Sequence, residues 1–257
     1  MSDTAVASAS EIKPGKLFIN GEWRDGKEGK TRPTISPATE EVITEIAQAT
    51  EEDVNDAVEA ADKAFHEGPW SRMGPHDRAR LLIKVAELVE KSAPELAYRE
   101  SIDMGKPIYF SKMIDCRLLA DLFYYYAGAA TRLEGSTRPA TPPAPGLLGP
   151  LNYTRREPLG VVAAITPFNF PLLLSGTKLA PALAAGNTVI HKPASATPLS
   201  ALKMAEIFAE AGLPEGVFNL VTGPGAMVGN ALVKHPRVKK IGFTGSTATG
   251  SSLPKML

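Results

Sequence analysis

This chain holds a single cysteine, Cys116, among 257 residues, so no disulfide can form within it. That suits a reducing compartment. Net charge is also missing: 28 basic residues face 28 acidic ones. A neutral chain is a poor match for nucleic acid or for an anionic membrane surface. No apolar run approaches a membrane span. Histidine is scarce, and His66, His76, His191 and His235 lie too far apart in sequence to suggest a metal cage. The first dozen residues carry no Lys or Arg before Lys13 and no apolar stretch, so they lack the marks of a signal or transit peptide. These absences point to a cytoplasmic protein with a disordered tail over residues 1–16. Apolar residues are plentiful at 44%, enough for a large core.

Two kinds of pattern divide the rest. Over 17–134 the chain predicts a hairpin followed by helices. Asn20-Gly21 is the two-residue turn that best fits strand twist, and Trp23 is expected to pack the hairpin onto a larger body. Val42–Ala47 reads as a strand. Thr50 and Asp53 form a capping pattern for a helix that ends near Gly68-Pro69. A second helix is expected from about Pro75 through Asp103, and a third from about Pro107 to Leu133. Residues 135–150 hold five prolines and three glycines, the mark of an extended loop. Asn152–Pro158 then reads as an exposed strand.

From Pro158 to the last residue the rhythm is β/α. Strands that are largely apolar are expected at 160–166, 188–192, 217–221 and 239–244. Their spacing suits βαβ units of a parallel sheet covered on both faces. Pro171 and Pro198 fit first helical turns, and Gly186 and Gly212 fit helix ends. The fold class is therefore α/β, with a doubly wound parallel sheet over 158–257.

In such sheets, ligands bind outside the carboxyl ends of the strands. The polar and Gly-rich residues fall there strand by strand: Thr166 to Asn169, Lys192, Gly223 with Gly225, and Thr244 to Ser246. Each has a plain alternative. Asn169 offers an NH₂ to a developing oxyanion or is a turn residue. Lys192 donates to ribose or phosphate or is merely solvated. Gly245-Ser246 admits a phosphate or is an ordinary cap. Gly223, Gly225 and Gly229 do not spell a dinucleotide fingerprint.

Taken together, these segments resemble the aldehyde dehydrogenase superfamily. The likeness runs through Phe18-Ile-Asn-Gly-Glu-Trp23, Ser36-Pro-Ala38, Thr166-Pro-Phe-Asn-Phe-Pro171, Lys192-Pro-Ala194, Ala211-Gly-Leu-Pro-Glu-Gly-Val-Phe-Asn219 and Phe243-Thr-Gly-Ser246. It implies a Rossmann-like dinucleotide-binding core over 158–257, NAD(P)-dependent oxidation of aldehydes to acids and a homo-oligomer joined through an arm over 135–157. It assigns oxyanion stabilisation to Asn169 and the adenine ribose to Lys192. Thr166, Pro167 and Phe168 would line the nicotinamide side, and Gly225, Gly229, Phe243, Gly245 and Ser246 the adenine and pyrophosphate. Phe168 stands where relatives often carry Trp. Ser195 stands three residues after Lys192, where NAD-specific members often carry an acid. Ser195 removes the repulsion of a 2′-phosphate and can donate to it, while Lys192 supplies positive charge, so NADP is expected to be accepted, alone or beside NAD.

The family's general-base Glu and nucleophilic Cys would lie beyond Ser246, so this stretch is expected to be truncated before both and inactive alone. Cys116, mid-helix, is expected to be a structural thiol rather than a substitute nucleophile. Pro254 should interrupt any helix begun at Ser246. The competing reading is a non-catalytic assembly protein that pairs through the arm with itself or with full-length relatives.

Overall fold

The computed structural model describes residues 12–146 and 148–256. The Asn20-Gly21 hairpin forms: β1 (Leu17–Ile19) and β2 (Glu22–Arg24) pair antiparallel, with φ of 54° at Asn20 and 83° at Gly21. Its anchor differs from expectation. Leu17, Phe18 and Ile19 are buried, whereas Trp23 is exposed and leans on the Phe18 ring at 4.9 Å. β3 (Thr31–Ile35) and β4 (Val42–Ala47) make a separate antiparallel pair. Of the expected tail, residues 1–11 lie outside the described residues. Residues 12–16 pack on the body instead. Ile12 is buried, and Gly15 donates to Glu45 O and accepts from Ala47 N, both at 2.8 Å.

α1 (Glu51–His66) starts at Thr50, whose side chain accepts from Asp53 N while Asp53 accepts from Thr50 N. A short α2 (Pro69–Arg72) follows. The expected helix over 75–103 is in fact two, α3 (Pro75–Lys91) and α4 (Ala93–Met104), parted at Ser92. Pro94 has no N–H with which to continue the ladder to Glu90. The next segment is also broken. A turn, α5 (Ile108–Phe110), leads into a π-helical stretch, Ser111–Cys116, and then α6 (Arg117–Ala130). The wider π turn points Ser111, Asp115 and Cys116 inward together.

Residues 135–157 carry two exposed strands, β5 (Thr137–Arg138) and β6 (Asn152–Tyr153), paired antiparallel. The β/α rhythm then appears as β7 (Val161–Ile165), α7 (Pro171–Ala184), β8 (Thr188–Lys192), α8 (Leu199–Ala211), β9 (Phe218–Leu220), α9 (Asn230–Lys234), β10 (Val238–Phe243) and α10 (Thr247–Ser252). A π turn, Gly225–Gly229, precedes α9, and α10 gives way to a 3₁₀ turn at Leu253–Lys255, where Pro254 sits. Pro198 is a cap rather than a first-turn residue.

The main sheet runs β10–β7–β8–β9–β1–β2. β7 to β10 are mutually parallel, β1 joins β9 antiparallel, and β2 closes that edge. From β7 the chain winds outward through β8 and β9, then returns to lay β10 on the far side of β7. That reversal is the switch point of a doubly wound sheet. α7 and α8 cover one face, backed by α3, α4 and α6; α1 and α9 cover the other. Phe208 of α8 meets Phe218 of β9 at 4.5 Å and Phe123 of α6 at 5.8 Å. Trp70 of α2 is buried and donates to Gly186 O and Asn187 O, pinning the turn before β8.

Candidate functional site

Strand register decides which loops can share a ligand. Phe243, Ile165 and Lys192 are direct partners across β10, β7 and β8. The ladder runs one residue further: Thr244 N donates to Ile165 O and Thr166 N to Lys192 O, both at 3.1 Å. On the other side Val221 N reaches His191 O. All four parallel strands therefore end at one rim, and adjacent exits lie about 4.8 Å apart. Thr166, Lys192, Ser195, Phe243, Gly245 and Ser246 leave from it, and Gly225 and Gly229 stand in the π turn after β9.

The loop between β7 and α7 carries Thr166 to Phe170. Thr166 is buried at its root, while Phe168 and Asn169 are exposed at its crest. Pro171 occupies the first turn of α7. Lys106 Nζ stands 3.9 Å from the centre of the Phe170 ring. Behind it, Lys106 pairs with buried Asp115 and lies 3.6 Å from Glu100 Oε1. Burial, with repulsion from Asp115 second, pushes the Glu100 carboxyl up to about 8.

Lys192 is not a solvated lysine. It is 3% exposed, and Nζ donates to Pro193 O at 2.8 Å. Burial brings it down to about 8. A buried ammonium held by a neutral carbonyl has charge left to share. Ser195 Oγ donates to Gly223 O at 2.7 Å, tying the β8 exit to the β9 exit. Its hydrogen is thus taken, and its lone pairs remain to accept. Gly223 has φ 151°, and a Cβ there would come within 2.7 Å of Val228 Cγ2.

The β10 exit is looser. A Cβ on Gly245 would come within 2.5 Å of the Phe243 ring, so only glycine lets that ring lie under the turn. Ser246 caps α10, accepting from Thr249 N at 3.2 Å.

Three nearby residues escaped the sequence reasoning. Lys178 of α7 donates to Thr244 Oγ1 at 2.7 Å, bridging the switch point, and burial lowers its pKa. A lone lysine within an apolar helix was the available signal. His191 and Ser175 meet beneath the Asn169 loop at 3.1 Å. Two grooves flank the rim. A 920 Å³ groove lies beside it, lined by Lys27, Arg32, Gln48, Thr50, Pro224 and Met227 among others. A 550 Å³ groove flanks β10, with Lys178, Lys240 and Gly242 in its wall. Cys116 is 1% exposed, and its thiol, 3.6 Å from Ala93 O, is pushed up to about 12 by burial.

Comparison with known proteins accords with this geometry. The pattern of the aldehyde dehydrogenase family matches residues 23–256. The mitochondrial benzaldehyde dehydrogenase of Antirrhinum majus is 46% identical over 256 residues, covering 96% of this chain and 47% of that protein. Phenylacetaldehyde dehydrogenase of Pseudomonas fluorescens is 46% identical over 237 residues, covering 92% of this chain and 47% of its own. The NAD⁺ complex of a Bacillus cereus aldehyde dehydrogenase superposes with a TM-score of 0.90 at 44% identity, covering 95% of this chain and 48% of that one. The chain spans about half the length of the relatives it matches.

Proposed function

The chain belongs to the aldehyde dehydrogenase family, and from that premise we propose that its rim binds a nicotinamide dinucleotide and serves aldehyde oxidation in a longer protein. The carrying observation is the register of Phe243, Ile165 and Lys192 across three parallel strands at the switch point. Support for a cofactor fit comes from Lys192, a buried cation with one neutral acceptor, and from Gly225, where a Cβ would meet no atom within 4 Å. A bound nicotinamide supplies a hydride acceptor.

This chain's residues have separable tasks in that proposal. Lys192 donates to the adenine ribose. The open backbone at Gly225 and Gly229, and the turn at Phe243, Gly245 and Ser246, take the adenine and pyrophosphate. Thr166, Pro167 and Phe168 line the nicotinamide. Asn169, exposed at the crest of its loop, offers its NH₂ to a developing oxyanion. Cys116 takes no part, being sealed and protonated, so these 257 residues are proposed to bind cofactor without turning over aldehyde.

NADP acceptance belongs to the same proposal. It rests on the Lys192 charge and on the absence of a carboxylate at Ser195, not on donation by Ser195, whose hydrogen goes to Gly223 O. We also place the protein in the cytoplasm, on its lone buried thiol, and in homo-oligomers joined through the β5–β6 arm, whose Leu148, Leu151 and Tyr153 are exposed. No described helix is long and apolar enough to cross a membrane.

Titration of the chain with NADH and NADPH, followed by nicotinamide fluorescence, tests the proposal. Both should bind, and Lys192→Met should weaken both by about tenfold or more, the scale of one charge-assisted hydrogen bond. Absence of binding by either nucleotide overturns the cofactor assignment; a strong preference for NADH overturns the NADP part alone.

A further inference from the structure

We infer that His191 is the positioning residue of the Asn169 loop: an uncharged imidazole whose Nε2–H grips both ends of Thr166–Pro171 from beneath. The inference rests on the role proposed above for Asn169, but its geometry stands apart from any ligand.

His191 is fully buried in β8, at the centre of the sheet. Its Nε2 lies 3.1 Å from Thr166 Oγ1 and 3.1 Å from Ser175 Oγ. Thr166 is the first residue after β7. Ser175 is one turn into α7, and its hydroxyl donates to Pro171 O at 2.6 Å. One imidazole nitrogen therefore holds the residue before the loop and, through Ser175, the residue that ends it. Between these points Phe168 and Asn169 are exposed. Their placement depends on how firmly the two ends are held.

The proton position follows from the bonding. Ser175 spends its hydrogen on Pro171 O and can only accept from His191, so Nε2 carries the hydrogen and shares it between the two hydroxyl oxygens. Nδ1 is then an acceptor, and it has no partner among the described residues. The ring stays neutral because burial, and after it the charges of Lys192 and Lys178, press its pKa down to about 3. A charged imidazole would carry a second hydrogen into an apolar interior. The tether therefore holds across the whole physiological range.

Gln places an amide NH₂ close to where Nε2 lies, whereas Met fills a similar volume with no donor. Three variants test the grip: His191→Met, His191→Gln and Ser175→Ala. Hydrogen exchange of the ligand-free chain over residues 164–176 is the first readout. His191→Met and Ser175→Ala should speed exchange there by about tenfold, the scale of one lost hydrogen bond, and His191→Gln should restore it. NADH affinity is the second, and should fall with Met and recover with Gln. Unchanged exchange in His191→Met, or failure of Gln to restore it, overturns the inference. Should the wild type bind no NADH, the cofactor assignment fails while the exchange result still decides the tether. Should His191→Met not fold, the imidazole ¹⁵N spectrum of the wild type decides: a neutral Nε2–H tautomer from pH 5 to 8 supports the grip, and a neutral Nδ1–H ring or a cation refutes it.

Discussion

At the β8 end of the rim, Lys192 and His191 sit on a strand hydrogen-bonded on both sides and sealed under α7 and α1. At the β10 end, Gly245 and Ser246 follow a strand that pairs only with β7 among the described residues, and both are exposed. The inner half is held by hydrogen bonds that link neighbouring strand exits: a buried one between Thr166 and His191, and a partly buried one from Ser195 to Gly223 O. The outer half relies on one short helix cap and on Lys178 reaching Thr244. A dinucleotide laid along such a rim would meet a rigid wall at one end and a yielding one at the other. Local opening is expected to follow the same gradient.

The sharpest test of that contrast is a pair of cavities. Phe208→Ala empties the core beneath β9 and should cost about 3–5 kcal/mol in urea melts. Ile241→Ala in β10, where the side chain is only partly covered, should cost roughly 1–2 kcal/mol, less than the ~2–5 kcal/mol of a fully buried isoleucine. Equal losses would abolish the distinction between the halves.

Charge burial belongs to the inner half too, and pH exposes it. Lys192 goes from its ordinary 10.5 to about 8 in the fold, a difference worth roughly 3 kcal/mol. Between those limits the unfolded chain binds the extra proton, so stability contributed at this residue rises with pH from 8 to 10.5. Lys192→Met should erase that rise; identical pH profiles for the two proteins would show that the ammonium is hydrated after all. Glu100 and Asp103 work in the opposite sense. Burial raises them to about 8 and about 7, so the folded chain holds the extra protons and stability falls as pH climbs from 5 through 8. Glu100→Gln should flatten that fall by roughly 2 kcal/mol, after allowance for relaxation around the carboxyl. A slope unchanged by the substitution would place Glu100 outside the effect.

Sequence patterns reveal the two halves unequally. β8 is legible end to end because Gly186-Asn187 and Pro193 bracket a short run centred on β-branched Val189 and Ile190. The Asn20-Gly21 turn and the Thr50–Asp53 cap are legible for a similar reason, since each is set by residues at most three apart. The His191 grip is not legible, because its partners lie 25 and 16 residues away and meet only when β7, β8 and α7 assemble. The break at Ser92 had its signal in Pro94, which the reading of a single helix over 75–103 passed over. The π turn at Ser111–Cys116 buries Asp115 beside Lys106 and Glu100, a three-way contact that spacing alone does not announce. Trp23 misled as an anchor because a large apolar side chain says nothing of which face of a two-stranded edge is covered.

The smallest expected effect is the most local. Ser246→Ala removes the acceptor for Thr249 N at the start of α10, a cap worth about 1 kcal/mol to its helix. α10 is six residues long and has no buried residue. It can therefore fray while β7, β8 and β9 stay closed, and the global melt should shift by less than about 0.5 kcal/mol. Amide exchange at Thr249 should nonetheless quicken by about fivefold, because its acceptor is the Ser246 Oγ that alanine lacks, whereas Gly250 N keeps its bond to the Ser246 carbonyl. A full 1 kcal/mol loss in the global melt would mean that the β10 exit unfolds together with the inner strands, and the rim would then be one cooperative unit rather than a rigid half joined to a soft one.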